Sequence, residues 1–189
     1  GLESIEMPNS VIKIGESGFK TCVNLKEVKF SENLDTIEHN AFSDCSSLQN
    51  IELPNSITKF GSSIFKNCTS IKTIALPTSL TYMGGQTFSG CTSLEQVFIP
   101  ETYYTIIGYT FYNCKKLSSI NFPEKLQNID SNAFYGCESL KEVILPSTVT
   151  RIENNAFYGC KGLQKVSIPD ATTYLGTSVF SGCEKLENV

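Results

Sequence analysis

Tryptophan is absent from this chain, and histidine and arginine occur once each, as His39 and Arg151. Tryptophan and arginine dominate tight contact surfaces, so contact energy is left to tyrosine and phenylalanine. His39 stands in a polar stretch without a ligand cluster around it, where such a side chain is solvated rather than catalytic. No cysteine pair has the C-x-x-C spacing of a zinc site, and phosphate-loop and dinucleotide motifs are missing. No stretch is long and apolar enough to span a membrane, and none has the layout of a signal peptide; direct membrane insertion is not expected. Positive charge is in deficit, with a formal net charge of −4. That argues against a nucleic-acid partner, which usually meets a basic face. The 19 acidic residues fall in strand-edge and turn columns, and no inserted loop builds a pocket that would perturb a pair of them into an acid and a base. Serine and threonine are plentiful but lack an activating base. The expectation is a chain with no catalytic residue, no cofactor and no metal.

What the chain does have is a beat. Its eight cysteines stand at positions 22, 45, 68, 91, 114, 137, 160 and 183, each 23 residues after the last. A phenylalanine keeps the same period three residues ahead of each, from Phe19 to Phe180. A period between 20 and 50 residues is the mark of a solenoid. Counted from each cysteine, the third, sixth and eighth positions are apolar, as in Leu48, Ile51 and Leu53, with polar residues alternating between the last two. That is a strand with one buried face. A proline follows at once in every unit but one, where Ser31 replaces it, and ends the strand because it has no N–H for a ladder. A second apolar pair such as Leu34 and Ile37 leads into Ala41, Phe42, Cys45 and Leu48, a spacing that predicts one or two helical turns on the return. One such unit cannot bury its own apolar face; stacked units bury it jointly.

The run L-x-x-I-x-L-P-x-x-L-x-x-I followed by A-F-x-x-C resembles the BspA-like leucine-rich repeat family. Leu48 to Ile51, Leu53, Pro54 and Ile57 to Phe60 carry the likeness, as do Leu140 to Val143, Leu145, Pro146, Val149, Ile152, Ala156, Phe157 and Cys160. The resemblance spans residues 1–189 and implies an α/β solenoid: a right-handed leucine-rich repeat with a parallel β-ribbon on its concave face and short helical or 3-10 turns on the return side. The expected organisation is a single domain of about eight repeats. Neither end reads as a polar cap, so it is expected to be an uncapped fragment of a longer array. The asparagine ladder of commoner leucine-rich repeats is replaced here by Asn33, Ser56, Ser79, Thr102, Lys125, Thr148 and Ala171. The family further implies a secreted or cell-surface protein that adheres to host proteins, extracellular-matrix proteins among them, or to neighbouring cells.

The stacked cysteines are expected to be reduced. Parallel Cβ vectors in one column disfavour a bridge, and free cysteine packs as a small hydrophobe.

Two surfaces are candidates for a partner. On the strand face, Phe98 and Ile144 break an otherwise mostly polar pattern, flanked by Thr73, Gln96 and Asn121; they read either as a shallow apolar site or as scattered surface hydrophobes. On one flank, Tyr112, Tyr135 and Tyr158 recur in successive units and would stack, either as a contact surface or as a cover for the turn edge. The unit Glu101–Tyr109, with Tyr103 where others carry an aliphatic residue, is expected to be locally deformed. No acidic residue falls between Glu52 and Glu95, while Lys59, Lys66 and Lys72 remain, an asymmetry that could steer an acidic partner. The leading functional expectation is a non-catalytic protein-binding module; the runner-up is a structural spacer or surface-coat array that binds nothing itself.

Overall fold

A computed structural model describes residues 1–187; Asn188 and Val189, the fifth- and sixth-column residues of the last unit, lie outside the described residues. Each coil contributes two short strands rather than one. The first strand of each coil covers the expected strand columns: β1 (Ser4–Glu6), β3 (Glu27–Lys29), β5 (Asn50–Ile51), β7 (Thr73–Ala75), β9 (Gln96–Phe98), β11 (Ser119–Ile120), β13 (Glu142–Ile144) and β15 (Lys165–Ser167). The second follows the proline turn: β2 (Lys13–Ile14), β4 (Thr36–Ile37), β6 (Lys59–Phe60), β8 (Tyr82–Met83), β10 (Thr105–Ile106), β12 (Asn128–Ile129), β14 (Arg151–Ile152) and β16 (Tyr174–Leu175). Paired strands are parallel and keep equivalent residues opposite each other, as in Ser4 with Glu27 or Ile129 with Ile152. The result is a parallel-strand β-solenoid with two ribbons.

The turn between the ribbons follows from the sequence. The carbonyl of Pro54 accepts the N–H of Ile57 at 3.3 Å, and Pro77, Pro100, Pro123 and Pro146 do the same for the residue three further on. Proline can hold this place because the turn needs only its carbonyl. Ser31 supplies the same carbonyl to Leu34 at 3.1 Å, which is why the missing proline leaves the coil unchanged. The asparagine ladder is replaced by hydroxyls: Ser56 Oγ donates to the Leu34 carbonyl at 2.6 Å and Thr148 Oγ1 to the Leu126 carbonyl at 2.6 Å. Asn33 reaches a different carbonyl of the preceding coil with its amide, that of Asn9 at 3.0 Å, the counterpart of the Glu124 carbonyl that Thr148 Oγ1 also bonds at 2.8 Å.

The expected helical return is not there. No helix or 3-10 segment occurs among the described residues, so the α/β assignment gives way to an all-β coil. The spacing of Ile37, Ala41, Phe42 and Cys45 mimics a helix face but has another origin. Ile37 sits on β4, and the residues that follow alternate between two kinds of hydrogen bond. Gly18, Lys20 and Cys22 each bond the carbonyl three residues back, whereas Ser17, Phe19 and Thr21 bond carbonyls of the next coil, at His39, Ala41 and Ser43. An α-helix would turn every amide back on its own chain. The alternation holds because two positions per coil are left-handed: one five residues before the cysteine, as at Asn40 (φ 56), and one just before it, as at Gly136 (φ 70). Each breaks a helix, and each aims an amide at the next coil.

Inside, equivalent residues stack. Phe19, Phe42, Phe65, Phe88, Phe111, Phe134, Phe157 and Phe180 form one column with ring centroids 5.1 to 5.8 Å apart and planes within 17°. Each contact adds ~0.5–1.5 kcal/mol beyond area burial. Leucine, isoleucine and valine columns fill the rest of a continuous core.

The ribbons are not continuous. The first divides into β1-β3-β5, β7-β9-β11 and β13-β15, and the second divides between β8 and β10.

Candidate functional site

The eight cysteines are free thiols; six are buried, and Cys22 and Cys183, in the end coils, are half-buried. Their column has a function in the fold. Each thiol from Cys45 to Cys183 donates to the phenylalanine carbonyl of the preceding coil, as Cys68 does to Phe42 at 3.1 Å and Cys114 to Phe88 at 3.1 Å. That carbonyl already accepts the backbone N–H of its own coil's cysteine, so the thiol satisfies its second lone pair. Burial pushes the Cys45 and Cys91 thiols up to about 12 and the Cys68, Cys114 and Cys137 thiols up as well. A thiol held protonated is a poor nucleophile and a poor metal ligand. No cluster of three or more metal-ligating side chains occurs among the described residues.

His39 is exposed, and its Nδ1 accepts the N–H of Ser62 in the next coil at 2.9 Å. Glu38 and Asn154 fill the same role for Glu16 and Thr177. The lone histidine is therefore one of several side chains that tie coil to coil.

Of the strand-face candidates, Thr73, Gln96 and Phe98 share one ribbon segment. Thr73 stands opposite Gln96, and Phe98 opposite Ala75. Phe98 keeps half of its surface in solvent, at 50%. Asn121 lies beside them, yet its side chain is engaged: it accepts the Ile99 N–H at 3.0 Å and donates to the Ile99 carbonyl at 2.9 Å. Ile144 is exposed at 61% but lies on β13, across a ribbon break, where it borders a cleft with Ile120 and Phe122. Thr73, Gln96 and Asn121 thus gather around Phe98, and Ile144 stands apart from them.

The tyrosine ladder forms as the spacing predicts. Tyr112 and Tyr135 stack at 4.8 Å and 17°, Tyr135 and Tyr158 at 4.8 Å and 8°. All three are half-buried, which puts part of every ring against its neighbours and the rest in solvent. Tyr109, the last residue of the irregular unit Glu101–Tyr109, joins at 5.6 Å. Its left-handed φ of 60° turns it onto Tyr112. Six lysines form ion pairs among the described residues, and Lys26 with Glu3, Lys29 with Glu6 and Lys165 with Glu142 pair across adjacent coils. Lys66 in the acid-free middle instead bonds Gln86 at 3.2 Å.

The comparisons agree with this architecture. The family described as BspA type leucine-rich repeat region matches in six copies, over residues 1–118 and 105–189. No curated protein matches the sequence. Among solved structures, the leucine-rich repeat protein of T. pallidum is 25% identical with a TM-score of 0.66, over 97% of this chain and 78% of that one. A leucine-rich repeat protein from Bacteroides ovatus is 23% identical with a TM-score of 0.59. The pneumococcal vaccine antigen PcpA is 24% identical with a TM-score of 0.58. The chain covers 66% of the Bacteroides protein's length and 57% of PcpA's. These matches indicate no catalytic family. Coil length, strand columns, the phenylalanine–cysteine stack and the family match agree, and the chain belongs to the BspA type leucine-rich repeat family.

Proposed function

We propose that the chain is a non-catalytic binding module of a secreted or cell-surface protein, adhering to host or neighbouring-cell proteins through the face around Phe98, with the tyrosine ladder as a second contact. Phe98 carries the reading. It is a large apolar side chain held half in solvent on β9, a strand laddered to neighbours on both sides. A rigid exposed aromatic gives up little entropy on binding, which is what an anchor residue requires. Thr73, Gln96 and Asn121 supply a polar rim next to it. The family and the cell-surface origin of a structural neighbour, a leucine-rich cell surface protein from Faecalibacterium prausnitzii, support the location.

The test is binding of the purified chain to extracellular-matrix proteins at micromolar concentration, for the native chain and for Phe98→Ala and Tyr135→Ala. Affinity should fall by about 1–2 kcal/mol in Phe98→Ala while the melting temperature holds. A chain that binds none of these proteins fits the spacer reading instead.

A further inference from the structure

The second ribbon opens at one junction among the described residues, between β8 and β10. At neighbouring junctions two backbone bonds recur. Thr81 N–H donates to the Thr58 carbonyl at 2.9 Å and Gly84 N–H to the Phe60 carbonyl at 3.0 Å; one coil beyond the opening, Gln127 bonds Tyr104 and Asp130 bonds Ile106. The equivalent bonds here, Tyr104 N–H to the Thr81 carbonyl and Ile107 N–H to the Met83 carbonyl, are not made. Nor does Thr102 make the bond to the preceding coil that Ser56, Ser79 and Thr148 make from its column. In their place is a cleft of about 200 Å³, bordered by Tyr82, Met83, Tyr103, Tyr104 and Ile107 among others. Tyr103 stands where other coils carry Leu34, Ile57, Leu80, Leu126 or Val149. It is 7% exposed, and its hydroxyl is the one buried side-chain polar atom without a hydrogen-bond partner among the described residues.

We propose that this opening is a docking site for an extended, uncharged peptide segment of a partner protein. The segment lies along the free edges of β8 and β10 and sets an aliphatic side chain against Tyr82 and Tyr104. The opening leaves the N–H groups of Tyr104 and Ile107 on one side and the C=O groups of Thr81 and Met83 on the other without their inter-coil partners, and a peptide backbone is the ligand that carries both donors and acceptors. No charged side chain borders the cleft, so an acidic, basic or phosphorylated segment would be desolvated there without a counter-charge. Tyr82 and Tyr104 keep 57% and 51% of their surface free to cover an apolar side chain. The buried Tyr103 hydroxyl lacks an acceptor, and an incoming backbone carries carbonyls. The inference rests on the reading of the chain as a protein-binding module, but uses a different ribbon from Phe98.

The test uses the whole chain and a capped peptide of the sequence Thr-Ser-Leu-Thr-Tyr-Met-Gly, residues 78–84, which is a strand this fold already ladders. Backbone amide spectra are followed to about 1 mM peptide. The expected result is shifts at Tyr104 and Ile107, about tenfold slower exchange of both amides, and about tenfold weaker binding in Tyr103→Leu and in Tyr104→Ala. Tyr104→Ala serves if Tyr103→Leu repacks poorly, since Tyr104 is exposed. Absence of shifts, shifts confined to the Phe98 face, or binding unchanged in both variants overturns the inference. Phe98→Ala should keep the peptide. A chain that binds a matrix protein through Phe98 but not the peptide refutes this site alone, whereas one that binds the peptide but no matrix protein refutes the Phe98 reading alone.

Discussion

Tyr109 is the residue whose backbone fits its type least. Its φ of 60° places a bulky side chain in the left-handed region, which disfavours L-residues by ~1–2 kcal/mol. Other coils fill this position with Asn40, Asn132 or Asn155, and asparagine tolerates it because its side chain bonds locally. Tyr109→Asn is therefore expected to stabilise the chain by about 1 kcal/mol, measured as an upward shift of the denaturant midpoint. A drop would show that the contact with Tyr112 at 5.6 Å outweighs the backbone cost.

At the scale of the element, the cysteine column makes stability depend on alkaline pH. Unfolded thiols ionise near pH 8.5, whereas burial holds the Cys45 and Cys91 thiols at about 12. Above roughly pH 8.5 the unfolded chain releases protons that the folded chain retains. Stability is full below that pH and falls steadily as pH climbs toward about 12. Denaturant melts at pH 8, 9 and 10 should show the fall, and Cys91→Ala should flatten it while lowering stability at pH 8. At pH 8 a thiol reagent should reach only the half-buried Cys22 and Cys183 in the native chain. Quick labelling of all eight would mean the column breathes open. The same element shows what a pattern of apolar residues conceals. Phe42, Cys45 and Leu48 follow a helix-like spacing, yet their burial comes from stacking on other coils.

Over the whole molecule, cohesion lies in the stacked interior rather than in surface charge. The seven ion pairs among the described residues are largely exposed, Lys29 and Glu6 keeping 71% and 69% of their side-chain surfaces in solvent. Exposed pairs contribute ~0–1 kcal/mol and are screened by salt. Raising sodium chloride from 0.05 to 0.5 M should move the melting temperature by only ~2–4 °C. A loss of about ten degrees would place the cohesion in the inter-coil ion pairs instead.

The 23-residue beat, read without coordinates, determined the coil length, the first strand with its proline stop, the columns of phenylalanine and cysteine that fill the core, and the stacking of Tyr112, Tyr135 and Tyr158. Those features follow from equivalent residues meeting at equivalent positions, and a repeat states that equivalence outright. It also placed the irregular coil at Glu101–Tyr109, because Tyr103 departs from an aliphatic column. The second strand, the non-helical return and the ribbon breaks were decided by tertiary structure. In each, a backbone amide chooses between a carbonyl on its own chain and one on the next coil, and residue spacing is the same for both choices. The left-handed turns at Asn40 and Gly136 and the bonds that Tyr104 and Ile107 leave unmade settle that choice only when the coils lie side by side.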